Sequence, residues 1–124
     1  AVNDLEEAIS FYRRAFGLEA ELVPSPSGSV LRFAMLRLPG CEIELLAPAA
    51  EETPITKFLA TRGPGTHHLA LEVADIESAL REGKSRGLQP LSQAALPGVD
   101  DTLTCFFHPR STMGVLFEYV QQGS

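Results

Sequence analysis

Apolar residues recur at helical spacing in two stretches of the chain. Leu5, Ala8, Ile9, Tyr12 and Phe16 share one face of a predicted helix that Asp4 can cap, with Glu7 three residues on, and that Gly17 can stop. Ile76, Ala79 and Leu80 share one face of a second, which opens at Asp75 and ends near Gly87. Between and after them the pattern turns strand-like. Strands are predicted over residues 18–23, 30–38 and 41–48, the last two separated by the turn signal Pro39-Gly40. A linker from Ala49 leads into a short helix over residues 55–62, with Pro54 suited to its first turn and Gly63-Pro64-Gly65 after it. Further strands are predicted over residues 67–73, 88–92, 102–108 and 115–121, with a turn at 108–114.

The two helices open alike. Val2-x-Asp4-Leu5-Glu6-x-Ala8-Ile9 matches Val73-x-Asp75-Ile76-Glu77-x-Ala79-Leu80, and each helix closes on Gly-Leu. The chain therefore reads as an internal duplication. Each copy is a strand, a helix and three more strands, and the opening strand of the first copy is expected upstream of Ala1. The expected fold is α+β, a single domain of two βαβββ modules. Residues 1–48 form the truncated module 1, 49–66 a linker with the short helix, and 67–124 module 2.

Alternation along the strands then selects polar residues that share a face. In residues 67–73, Leu69, Leu71 and Val73 make the packing face together with His67, while His68, Ala70 and Glu72 look the other way. Ile43 and Leu45 pack, leaving Glu42 and Glu44 opposite; Val115, Phe117 and Tyr119 pack, leaving Glu118 opposite. Glu44 and Glu118 hold matching places in the last strand of each module. The counterpart of His68 would stand five residues before Val2. Two imidazoles and two carboxylates converging on one centre suit a divalent metal with open positions for Lewis-acid chemistry. Read singly, each of these residues is an ordinary strand residue, and it is the repeat that joins them. His67 competes with His68 for the ligand role, and His108, before Pro109, reads as a turn residue.

Charge and composition narrow the partners. The net charge is −6, and the lysines and arginines are scattered, which disfavours nucleic acid and anionic membranes. No apolar run is long enough for a bilayer-spanning helix. Cys41 and Cys105 are not in a CxxC arrangement and read as reduced, partly buried thiols, consistent with a cytoplasmic protein. No glycine-rich nucleotide loop and no Gly-x-Ser-x-Gly is present.

The stretches AVNDLEEAISFYRRAFGL, EIELLAP, TPITKFLATRGPGTHHLALEVADIESAL and FFHPRSTMGVLFEYVQ resemble the vicinal oxygen chelate superfamily, the group of glyoxalases, ring-cleaving dioxygenases and bleomycin resistance proteins. Within it they are most similar to the methylmalonyl-CoA epimerases. The resemblance implies a cup-shaped half-open barrel around a divalent metal such as cobalt, zinc, manganese or nickel, in a homodimer. It implies metal ligands at His68, Glu44 and Glu118, with Glu118 and Glu44 as the catalytic carboxylates. The implied reaction moves the carbon-2 proton of an acyl-CoA thioester, methylmalonyl-CoA, through a metal-stabilised enediolate. Two other activities fit the same superfamily: a glyoxalase I-type isomerase acting on a glutathione hemithioacetal, and a non-catalytic ligand-binding protein. The chain departs from the epimerase pattern in two places. Residues 30–36 carry Arg32 and no acid, and the loop before the penultimate strand is acidic, with Asp100 and Asp101.

Overall fold

The computed structural model describes residues 1–123 and divides into two compact units, Ala1–Thr66 and a second that begins at His67. The α+β class is observed: the described residues form three α-helices and two sheets.

The first unit runs α1 (Leu5–Phe16), β1 (Ala20–Val23), β2 (Leu31–Leu38), β3 (Cys41–Pro48) and α2 (Thr56–Arg62). Its sheet has the order β1-β2-β3, antiparallel throughout. The amphipathic stripe of α1 places Leu5 and Ala8 against Ala34 and Leu36 of β2 and Leu45 and Ala47 of β3. On the surface, the two terminal guanidinium nitrogens of Arg32 donate to the Glu6 carboxylate, at 3.1 and 2.6 Å. That fork holds the Glu6 carboxyl below its ordinary value.

The second unit runs β4 (Leu69–Glu72), α3 (Ile76–Ser85), β5 (Leu96–Pro97), β6 (Leu103–Phe106) and β7 (Phe117–Gln121). Its sheet order is β4-β7-β6-β5, with β4 and β7 parallel and the other pairs antiparallel. Ile76 and Leu80 of α3 pack on Cys105 and Phe107, with Val73, Leu88, Phe117 and Tyr119 around them.

The internal repeat appears in local geometry. Asp4 and Asp75 each precede a helix with an extended backbone, and each accepts a hydrogen bond from the backbone N–H three residues on, Glu7 at 2.9 Å and Ser78 at 3.2 Å. The Val2 N–H donates to the Leu46 carbonyl at 2.9 Å, and the Val73 N–H donates to the Val120 carbonyl at the same distance. Counting back two residues from each acceptor gives Glu44 and Glu118, so the backbone ladder itself makes these carboxylates equivalent.

Several strand predictions need correction. Residues 88–92 form no named strand: the Leu91 N–H donates to the Phe106 carbonyl and the His108 N–H to the Gln89 carbonyl, each at 2.8 Å, which makes an isolated bridge between Pro90 and Phe107 that does not extend into a ladder. The strand in that region is the two-residue β5. The strand at 67–73 is shorter than expected, and Leu69 and Leu71 are 48% and 52% exposed. They lie on an edge strand, while α3 spends its apolar stripe on β6 and β7 residues, so only Val73 joins the core. Val115 lies ahead of β7 and is exposed, and Ile43 is borderline exposed while Leu45 and Ala47 do the packing. The acidic loop folds as a tight turn over Val99–Asp101, in which Asp100 and Asp101 take positive φ, a region that short polar side chains tolerate.

Both cysteines are free. Cys105 is buried, but Cys41 is exposed and not the partly buried thiol expected of it. No helix among the described residues is long and apolar enough to cross a membrane.

Candidate functional site

A single row across the second sheet positions the site. Glu118 is the second residue of β7, the strand flanked by β4 and β6, opposite Ala70 on one side and Phe106 on the other. Its neighbours Phe117 and Tyr119 turn toward the α3 core, so pleat alternation sends Glu118 to the other face. Alternation also places Phe106, between the buried Cys105 and Phe107, on that face. His68 lies two residues before Ala70, and the chain there is already tied to the sheet, because the Leu69 N–H donates to the Leu116 carbonyl.

These placements bring His68 and Glu118 together. His68 Nε2 stands 3.5 Å from Glu118 Oε1, and their side chains are only 12% and 11% exposed. The Phe106 ring meets the His68 ring edge-on, with centroids 4.9 Å apart. Phe106 went unnoticed in the sequence, yet the alternation within Cys105-Phe106-Phe107 carried the signal.

His67 is not on the face that alternation predicts. Its Nδ1 lies 3.0 Å from His68 Nδ1, and the two rings meet edge-on with centroids 5.2 Å apart. Both histidines precede β4, so strict alternation does not govern them. Burial and then the neighbouring His68 push His67 down to about 4, which keeps its imidazole neutral at ordinary pH, with a ring nitrogen that can accept a hydrogen bond.

Glu44 sits in β3 of the first unit, opposite Met35 and half-buried. His108 shapes a turn: its Nδ1 accepts the Arg110 backbone N–H at 3.3 Å, and its own N–H donates to the Gln89 carbonyl at 2.8 Å.

The donor set can be tested against a metal. At 3.5 Å the His68–Glu118 pair is long for a direct N–H···O hydrogen bond. Two ligands held about 2.0–2.2 Å from one ion at near-tetrahedral angles stand roughly 3.4 Å apart. One imidazole nitrogen and one carboxylate oxygen at that spacing, largely out of water, fit two positions of a divalent site. Among the described residues, however, no group of three or more histidines, cysteines or acids is gathered to hold an ion. Of the expected trio His68, Glu44 and Glu118, one close pair is assembled, and Glu44 stands within its own unit.

The chain is similar to known proteins over most of its length. The profile of the Glyoxalase/Bleomycin resistance protein/Dioxygenase superfamily matches residues 1–106. The mitochondrial methylmalonyl-CoA epimerase of Mus musculus is 37% identical over 123 residues, 98% of this chain and 68% of that protein. The crystal structure of the Mycobacterium tuberculosis methylmalonyl-CoA epimerase is similar with a TM-score of 0.87 and 35% identity, over 99% of this chain and 83% of that one. Streptomyces coelicolor methylmalonyl-CoA epimerase in complex with 2-nitronate-propionyl-CoA is similar with a TM-score of 0.91 and 29% identity, over 99% and 92% of the two chains.

Proposed function

Because this chain belongs to the Glyoxalase/Bleomycin resistance protein/Dioxygenase superfamily and, within it, to the methylmalonyl-CoA epimerases, which are isomerases, we propose that it inverts methylmalonyl-CoA by moving the proton on carbon 2. The observation that carries this reading is the buried pair of His68 Nε2 and Glu118 Oε1, 3.5 Å apart on one sheet face. In the proposal His68 and Glu118 would supply two ligands of a divalent ion (cobalt, zinc, manganese or nickel), and Glu44, the counterpart of Glu118 in the sequence repeat, is the further ligand that the repeat nominates. Such an ion would supply Lewis acidity to the bound thioester.

The chain's own groups do the rest. His68 offers an imidazole nitrogen, with its ring meeting that of Phe106 edge-on. Glu118 and Glu44 are the proposed acid and base. A carboxylate accepts the proton from one face of carbon 2, and a protonated partner returns one from the other. Glu118 is buried, and its place in the middle of a paired strand holds its backbone in position. A relative's complex with a 2-nitronate thioester supports the reading, since a nitronate is planar and anionic at the carbon that loses its proton. A homodimer belongs to the proposal, checked by light scattering. So does a cytoplasmic location, which the two free thiols suit.

The test is deuterium uptake at carbon 2 of methylmalonyl-CoA in heavy water. Metal-loaded protein is expected to exchange, and stripped protein to lose exchange until an ion is returned. Glu118→Gln, which keeps the side chain's shape, is expected to lower exchange by at least about a hundredfold, the usual scale of an acid–base group, with melting little changed. His68→Ala is expected to weaken metal binding while the fold survives. Absence of exchange in the loaded wild-type protein would overturn the assignment.

A further inference from the structure

We propose that His67 is a positioning residue: its Nδ1 accepts a hydrogen bond from the Nδ1–H of His68 and so keeps His68 Nε2 bare toward Glu118. The inference rests on the reading of His68 as a metal ligand through Nε2.

A neutral imidazole carries one proton on one of its two nitrogens. If Nε2 is to donate its lone pair to an ion, the proton must sit on Nδ1, and a buried N–H needs an acceptor. Metal-binding histidines usually hand that proton to a carboxylate, a backbone carbonyl or water. At His68 the atom in line is the Nδ1 of the preceding residue, 3.0 Å away, a normal hydrogen-bond length. Adjacent residues of a regular strand point to opposite faces and cannot make this contact. It forms because β4 begins only at Leu69, so the pleat does not govern His67, two residues ahead of the strand. Phe106 closes on the His68 ring from another side and leaves it little room to swing away.

The pair can also exchange protons in the opposite sense, His67 Nδ1–H donating to His68 and His68 Nε2–H facing Glu118. Each residue keeps one proton in either arrangement. Filling the site would therefore swap the tautomers of both rings and release no proton from either. An acid in place of His67 would add charge to the site; an imidazole serves both tautomers while staying neutral.

The experiment compares wild type with His67→Asn and His67→Leu. The Asn amide oxygen stands about where Nδ1 stands and can accept the proton, whereas Leu fills space and accepts nothing. Zinc affinity by calorimetry is expected to fall about 10–100-fold in His67→Leu, the usual loss when a ligand's outer partner is removed, and to stay within a few-fold of wild type in His67→Asn. Nitrogen-15 spectra of the zinc-loaded wild type should show the His68 proton on Nδ1, with coupling across the hydrogen bond to His67 Nδ1. Equal zinc affinity in wild type and His67→Leu would overturn the inference, as would a His68 Nδ1 without a proton in the loaded protein. If the wild type binds no divalent ion at all, the metal-dependent reading fails first. The metal-free spectrum would then show whether the two rings share a proton, and no shared proton would overturn the contact itself.

Discussion

Two imidazoles 3.0 Å apart cannot both take up charge cheaply, and this constrains how the molecule responds to acid. In metal-free protein His67 is lowered to about 4, by burial first and His68 second, against 6.5 for an ordinary histidine. Between those values the unfolded chain binds a proton at this position that the folded chain refuses. Stability is thus full above about pH 6.5 and declines as pH falls toward 4. Urea midpoints of stripped protein measured across this window should drop, and His67→Asn should drop less because the refused proton is gone. Parallel declines in the two proteins would show that the acid sensitivity lies elsewhere. Legibility at this scale was uneven. Alternation within β7 sent Glu118 to the face opposite Phe117 and Tyr119. The same rule misplaced His67, because a period of two holds only inside a strand and His67 lies before one.

At the scale of elements the caps are the sharpest case. Asp4 and Asp75 announced both helices in the sequence, and both carboxylates accept the expected backbone N–H. Removing either, by Asp4→Ala or Asp75→Ala, should cost about 1 kcal/mol. The two losses, read from denaturant midpoints, should be similar because the cap geometry repeats; no loss in either variant would show that the capping bond contributes nothing. Helices were legible because capping and stripe are local. Residues 88–92 misled because Leu88 and Leu91 look like strand residues, while in the fold the pairing stops at an isolated bridge between Pro90 and Phe107, and Leu88 is drawn into the core beside α3. Leu69 and Leu71 misled for another reason. Which strand a helix covers is a tertiary choice, and α3 lies on Cys105, Phe107, Phe117 and Tyr119.

On the scale of the whole molecule, the duplication explains why a site could be proposed from one sequence. Glu44 and Glu118 drew attention as a pair, and the matched Val2–Leu46 and Val73–Val120 hydrogen bonds give that pairing a backbone basis. A chain of net charge −6 offers a polyanionic thioester no long-range attraction, so recognition in the proposed reaction falls to local groups.

The two thiols finally make the protein its own unfolding gauge. Cys41 is open to solvent, whereas Cys105 is only 2% accessible in the core of the second unit. A maleimide dye added to native protein should label Cys41 promptly and Cys105 only when the packing around it opens. The slow phase of labelling then counts opening events of that unit, without any engineered probe. Labelling of both thiols at one rate in native protein would contradict the packing described for Cys105.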